Sequence, residues 1–211
     1  MNRIVCILCL FFSIQILAAD VYDSEEVPLV SSPVYIFDHE IGARFDYFPV
    51  GAFNKHAGFA AEYTHYIADQ NFSWSALAGK SIEIESSLKT SLIESYGAQK
   101  SDFLVLNYYA KIGLSYVPFY TKNILFNSLQ IHSKTFLNLD LGFADYTYKS
   151  TPFVAIGFAQ SYYQSADLGY KFNFDYMFHT TKEKYLLNQF VVGVSVIYSW
   201  KDSPSSELDL D

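Results

Sequence analysis

The stretch LGYKFNFDYMF, Leu168–Phe178, sets Leu168, Tyr170, Phe172, Phe174, Tyr176 and Phe178 against Gly169, Lys171, Asn173, Asp175 and Met177. Side chains alternate across a strand, so one face of this segment is bulky and apolar and the other small or polar. A water-soluble barrel would turn the bulky face inward; a membrane barrel would turn it outward. The reading of the whole chain depends on which face meets the surroundings.

The same two-residue period returns along the chain. Runs over about residues 40–49, 57–67, 71–84, 103–117, 129–143, 152–163, 168–178 and 188–200 predict eight strands. They have about 10–13 residues each, against roughly 5–6 for an ordinary strand. At about 3.3 Å per residue and a tilt near 40°, such strands rise roughly 28 Å, close to the ~25 Å apolar band of an outer-membrane barrel. The expected fold is all-β: a closed antiparallel up-and-down transmembrane barrel of about eight strands. Residues 86–99 break the pattern. Leu88, Leu92 and Tyr96 at helical spacing, with Gly97 as a stop, predict one short helix in a long loop.

Side-chain size decides the facing. The narrow face carries Gly42, Gly58, Ser73, Gly79, Gly113, Gly157, Gly169 and Gly193, whereas water would tolerate longer polar groups there. The interior of about eight strands is just wide enough for its own side chains. Bulky residues from every strand would overfill it, so the apolar face is expected outward, Leu106 and Lys80 included. Arg44, Asp46, Glu62, Lys111, Asp140, Lys171 and Asp175 fall on the narrow face. Their mixed signs predict a lumen network of ion pairs rather than an open pore.

The ends of the chain point to export. Arg3 precedes the apolar run Ile4–Leu17 and the small residues Ala18 and Ala19, the pattern of a signal peptide over residues 1–19. Both cysteines, Cys6 and Cys9, lie within it, so no disulfide or cysteine metal site is expected in the exported protein. Residues 20–38 read as a periplasmic leader, 39–200 as the barrel, and 201–211 as an acidic tail. With 14 basic and 22 acidic residues, no basic stripe suggests nucleic acid.

An even strand count puts both termini in the periplasm. Ala68–Gln70 and Gln164–Ala166 then form short periplasmic turns, and 85–102, 144–151 and 179–187 form outer loops. Pro118–Ser128 stands out as too long for a tight periplasmic turn. Tyr63, Phe72, Trp74, Tyr116, Tyr162, Tyr198 and Trp200 fall near the periplasmic rim, where amphipathic rings are favoured.

The chain resembles a known family in YVPFYTKNILF (Tyr116–Phe126), DLGFA (Asp140–Ala144), FVAIGFAQSYY (Phe153–Tyr163) and the aromatic strand around Asp175. It is similar to the small outer-membrane β-barrel domain proteins of myxobacteria and predatory relatives. It departs from them at Thr121, where the family often has Gly before Lys, and at Phe174, where it has a basic residue. The resemblance implies fold and location, and no chemistry or ligand.

No catalytic set emerges. The adjacent His132 and Ser133 should point to opposite faces, and Glu62 and Thr64 share a face without a histidine. His39, His56 and His179 sit near strand ends, and Asp167 and Asp175 share a face with Lys171 between them. No cofactor or metal is expected. The expected role is structural or surface-interacting, with outer-membrane lipid and lipopolysaccharide around the barrel and a surface partner at the outer loops. The alternatives are a lipid-modifying outer-membrane enzyme and a soluble periplasmic lipid-binding barrel.

Overall fold

The computed structural model describes residues 35–49, 54–67, 70–85, 87–99, 105–125, 129–179 and 188–202. The expected signal peptide, the leader up to residue 34 and the tail beyond residue 202 lie outside them. The strands are β1 (His39–Phe48), β2 (Asn54–Ile67), β3 (Phe72–Glu85), β4 (Leu106–Leu125), β5 (Leu129–Tyr146), β6 (Lys149–Tyr163), β7 (Leu168–His179) and β8 (Gln189–Trp200). A helix, α1 (Ser87–Tyr96), lies between β3 and β4. Each strand pairs antiparallel with the next, and β8 pairs with β1, so the sheet closes into the up-and-down barrel that the periodicity expects.

The apolar face is the outer one. Phe59, Leu114 and Phe143 are about two-thirds exposed, whereas Arg44, Asp46 and Asp140 are buried inside. In the opening stretch, Leu168, Tyr170, Phe172, Tyr176 and Phe178 are exposed and Lys171, Asn173, Asp175 and Met177 are buried.

The two termini of the barrel lie at one end, together with the turns leading into β3 and β7. Gln70 takes the turn at a φ of 72°. Gln164 donates its N–H to the Leu168 carbonyl at 3.1 Å. The other end carries α1.

Four local expectations change. Residues 144–151 are no long loop: Tyr146 pairs with Lys149, and only Thr147 and Tyr148 turn. Pro118–Ser128 is mostly strand, because β4 runs on to Leu125 against β5. Pro118 has no N–H to give to a ladder, and the register shifts between Tyr116 and Phe119, so the alternation breaks in the sequence while the pairing resumes beyond it. β3 leaves β4 at the Phe72–Tyr116 pair, and β6 leaves β5 at Tyr163–His132, so this hairpin projects past the rim.

A second register shift between Leu106 and Tyr108 turns Leu106 inward, where it is fully buried. The helix is shorter than 86–99, and Gly97 ends it at a φ of 68°. Tyr96, the last residue of the expected stripe, is 81% exposed and does not seat the helix. Lys89 is buried instead and forms an ion pair with Glu83 of β3.

The interior is layered. Phe48, Leu77, Leu106, Tyr109, Tyr146, Phe153 and Met177 cluster toward the helix end. Phe37, Tyr66, Val117, Tyr120, Phe136, Tyr163 and Ile197 cluster toward the terminal end. Phe37 belongs to the segment read as leader, yet it is buried, and its carbonyl accepts from the Gln70 amide.

Candidate functional site

Between the two apolar clusters lies a charged layer. Arg44 and Asp46, two residues apart on β1, share the inner face and touch, Nε to Oδ1, at 2.5 Å. Arg44 Nη2 donates to Asp175 Oδ2 on β7 at 2.8 Å. Lys111 on β4 donates to the same Asp175 oxygen at 2.8 Å and to Asp140 Oδ2 on β5 at 2.6 Å. The Tyr109 hydroxyl donates to Asp46 Oδ2 at 2.6 Å. Glu62 is the looser member, 4.0 Å from Arg44 Nη1 and 3.9 Å from Lys171 Nζ. All seven residues singled out from the sequence thus face the lumen; five form one tightly bonded chain, and Glu62 and Lys171 flank it.

A second polar group lies nearer the terminal end and escaped the sequence reading. The Tyr163 hydroxyl donates to Glu40 Oε1 at 2.6 Å. Lys134 Nζ donates to Gln70 Oε1 at 2.8 Å and sits 3.8 Å from the Phe37 ring centroid and 4.4 Å from that of Tyr66, a cation–π arrangement. Strand parity would have found both residues: Glu40 shares a face with Arg44, and Lys134 with Asp140.

Small residues make room for this filling. A methyl group at Gly79 would stand 2.5 Å from the Tyr109 ring, one at Gly142 2.4 Å from that of Phe153, and one at Gly193 2.4 Å from Arg44 Nε. The space left among Arg44, Tyr109, Lys111, Asp175 and Met177 is about 10 Å³, room for about one water molecule.

The seven interface rings lie on the outer face toward the terminal end. Tyr63 packs on Trp74 at 5.3 Å between centroids, Phe72 on Tyr116 at 5.2 Å, and Tyr198 beside Trp200 at 6.2 Å. Tyr162 meets Phe172 edge-on at 6.0 Å. Lys80, also on the outside, reaches 5.8 Å from the Tyr108 ring.

The weighed catalytic pairs do not assemble. The Ser133 hydroxyl meets that of Thr121, while His132 packs edge-on against Tyr35 at 4.9 Å. His56 is buried in the lumen beside Phe48, and His179 meets the Tyr146 hydroxyl at 2.9 Å. Asp167 sits in the exposed turn before β7 and does not share the lumen with Asp175.

No protein-family model matches the chain, and no curated protein matches it in sequence. Among solved structures it is similar to Neisserial surface protein A, at 10% identity and a TM-score of 0.42, over 79% of this chain and 97% of that one. It is also similar to Ail, the attachment invasion locus protein of Yersinia pestis, at 11% identity and a TM-score of 0.40, over 76% of this chain and 96% of that one. A major outer membrane protein from Thermus thermophilus aligns at 8% identity and a TM-score of 0.35, over 77% and 99%.

Proposed function

We propose that this chain is an integral outer-membrane β-barrel with a structural or surface-interaction role and a lumen sealed by its own side chains. The observation that carries the reading is the inverted distribution of polarity. Large apolar residues such as Phe59, Leu114, Leu141 and Phe143 are more than half exposed, while Arg44, Asp46, Asp140 and Asp175 are at most 4% exposed inside. In water that arrangement would leave a large apolar surface wet, whereas in a bilayer it meets lipid; the buried charges are compensated by one another in either medium. The terminal end, with its short turns and rings, then faces the periplasm, and α1 faces outward, where the distal loops would meet a partner. Lipid and lipopolysaccharide surround the wall. In this reading residues 1–19 are a signal peptide that directs export through the inner membrane and is then cleaved, and the chain is grouped with the small barrels of myxobacteria and predatory relatives that it resembles.

The two alternatives find less support. A lipid carrier lines an internal cavity with its apolar face, whereas here Phe59, Leu114 and Phe143 are exposed outside and Arg44, Asp46 and Asp140 are buried within. A lipid-modifying enzyme needs a nucleophile and base in contact, and His132 and Ser133 engage different partners.

Extraction and gel migration test the proposal. The exported protein should stay with membranes through sodium carbonate and high salt, and should migrate faster unheated than boiled. In planar bilayers it should give no steady conductance. Release as a soluble monomer would end the membrane reading; a steady ohmic current would end the sealed lumen.

A further inference from the structure

Outside the barrel, at its terminal rim, His39 and His65 are directly paired across β1 and β2. Their Nδ1 atoms are 3.2 Å apart. The Tyr63 hydroxyl, two residues from His65 on the same face, lies 2.7 Å from the same His39 Nδ1. On the far side of the ring, His39 Nε2 donates to Asp202 Oδ2 at 3.1 Å. That bond leaves Nδ1 with one lone pair, toward which both the Tyr63 and His65 groups are aimed. One lone pair cannot serve two protons well. The rings are held in place: His39 stacks on Trp200 at 5.2 Å, and Trp74 packs against both Tyr63 and His65.

We propose that His39, His65 and Tyr63 form a binding site for a borderline divalent metal ion of the zinc and copper class. Two imidazole nitrogens each about 2.05 Å from a tetrahedral ion lie roughly 3.3 Å apart, which the pair already matches. Imidazole suits these metals better than it suits magnesium or calcium. Asp202 plays the part of the carboxylate that orients a ligating histidine from its other nitrogen. On binding, His65 moves its proton to Nε2, Tyr63 gives its proton to water, and the ion takes the place of both. Among the described residues no three His, Cys, Asp or Glu side chains converge in this way; here the third ligand is a phenol oxygen. The site is independent of the lumen and does not require the role proposed above.

The test uses the exported chain in detergent, without a histidine tag, titrated with Zn²⁺ against a chromophoric chelator. One equivalent should bind. His39→Gln and His65→Gln should each weaken binding at least tenfold, and Asp202→Asn by about tenfold, the lower end for a partner outside the ligand shell. His132→Gln, at the projecting hairpin, should leave it unchanged. With Cu²⁺, electron paramagnetic resonance should show two imidazole nitrogens, and one in either histidine variant. Heat-modifiable migration of every variant reports that the barrel has folded. The absence of a saturable Zn²⁺ site in the folded chain would overturn the proposal. So would unchanged affinity in the His39→Gln, His65→Gln double variant.

Discussion

Arg44 on β1 and Asp175 on β7 meet at 2.8 Å inside the barrel, 131 residues apart in the chain and both out of reach of solvent. The contact exists only because the sheet closes, bringing β8 against β1 and β7 within reach of it. Asp175 also takes Lys111, so a single carboxylate oxygen joins β1, β4 and β7.

Replacing Asp175 with Asn should therefore cost more than most single changes. It would leave two buried cations short of a counter-charge, a loss of about 3–5 kcal/mol for breaking a buried pair. Glu62→Gln should cost much less, because its partners stand at 3.9 and 4.0 Å rather than at hydrogen-bonding distance. Urea unfolding from lipid vesicles would rank the two. Equal effects would mean that the charged layer is not centred on Asp175.

Gly79→Ala should destabilise by overpacking. Its new methyl would stand 2.5 Å from Tyr109 Cζ and 2.8 Å from the Ala60 methyl. A penalty of about 1–3 kcal/mol is expected. Removing the ring with Tyr109→Ala should absorb part of it, so the double variant should be less destabilised than the two single effects added together. The midpoint of the heat-modifiable gel shift measures each.

An arginine on the outer wall should be penalised by depth. Leu141 pairs with Ile112 midway between the two rims of the wall, whereas Leu137 pairs with Tyr116, which faces Phe72 at the terminal rim. In vesicles Leu141→Arg should cost about 2–4 kcal/mol and Leu137→Arg about 0–1 kcal/mol. A water-soluble barrel would tolerate both alike, so an equally small effect at the two positions would count against a bilayer around this wall.

Phe37→Ala should loosen the terminal end of the lumen. The ring is 2% exposed, packs on Tyr66 and Tyr163, and covers the Lys134 ammonium. Loss of a buried phenylalanine costs about 3–5 kcal/mol. Faster amide exchange at Tyr66 and Asp38, whose N–H groups donate to the Asp38 and Trp200 carbonyls respectively, would localise the damage. Wild-type exchange there would show that the segment before β1 is not a structural stopper.

Several things were legible in the sequence because strand parity is local. The facing of Phe172 and Asp175, and the inward set from Arg44 to Asp175, follow from alternation alone. Parity fails where the ladder slips. At Pro118 a missing donor and a register shift hid the rest of β4, and at Leu106 a second shift turned an apolar side chain inward. Phe37 and Tyr109 were harder to foresee for another reason. A large ring can enter a narrow lumen where a partner strand offers a glycine, as Gly79 does for Tyr109, and that match depends on the β3–β4 register, which alternation within each strand does not set.

By itself, the sequence determined that long strands alternate and that charge falls on their narrow face, because both are properties of single strands. Only the tertiary structure decided which ions meet, which rings cap the lumen and that two histidines share one point on the rim. Those contacts depend on closure and register, which set side chains from distant parts of the chain within a few ångströms of one another.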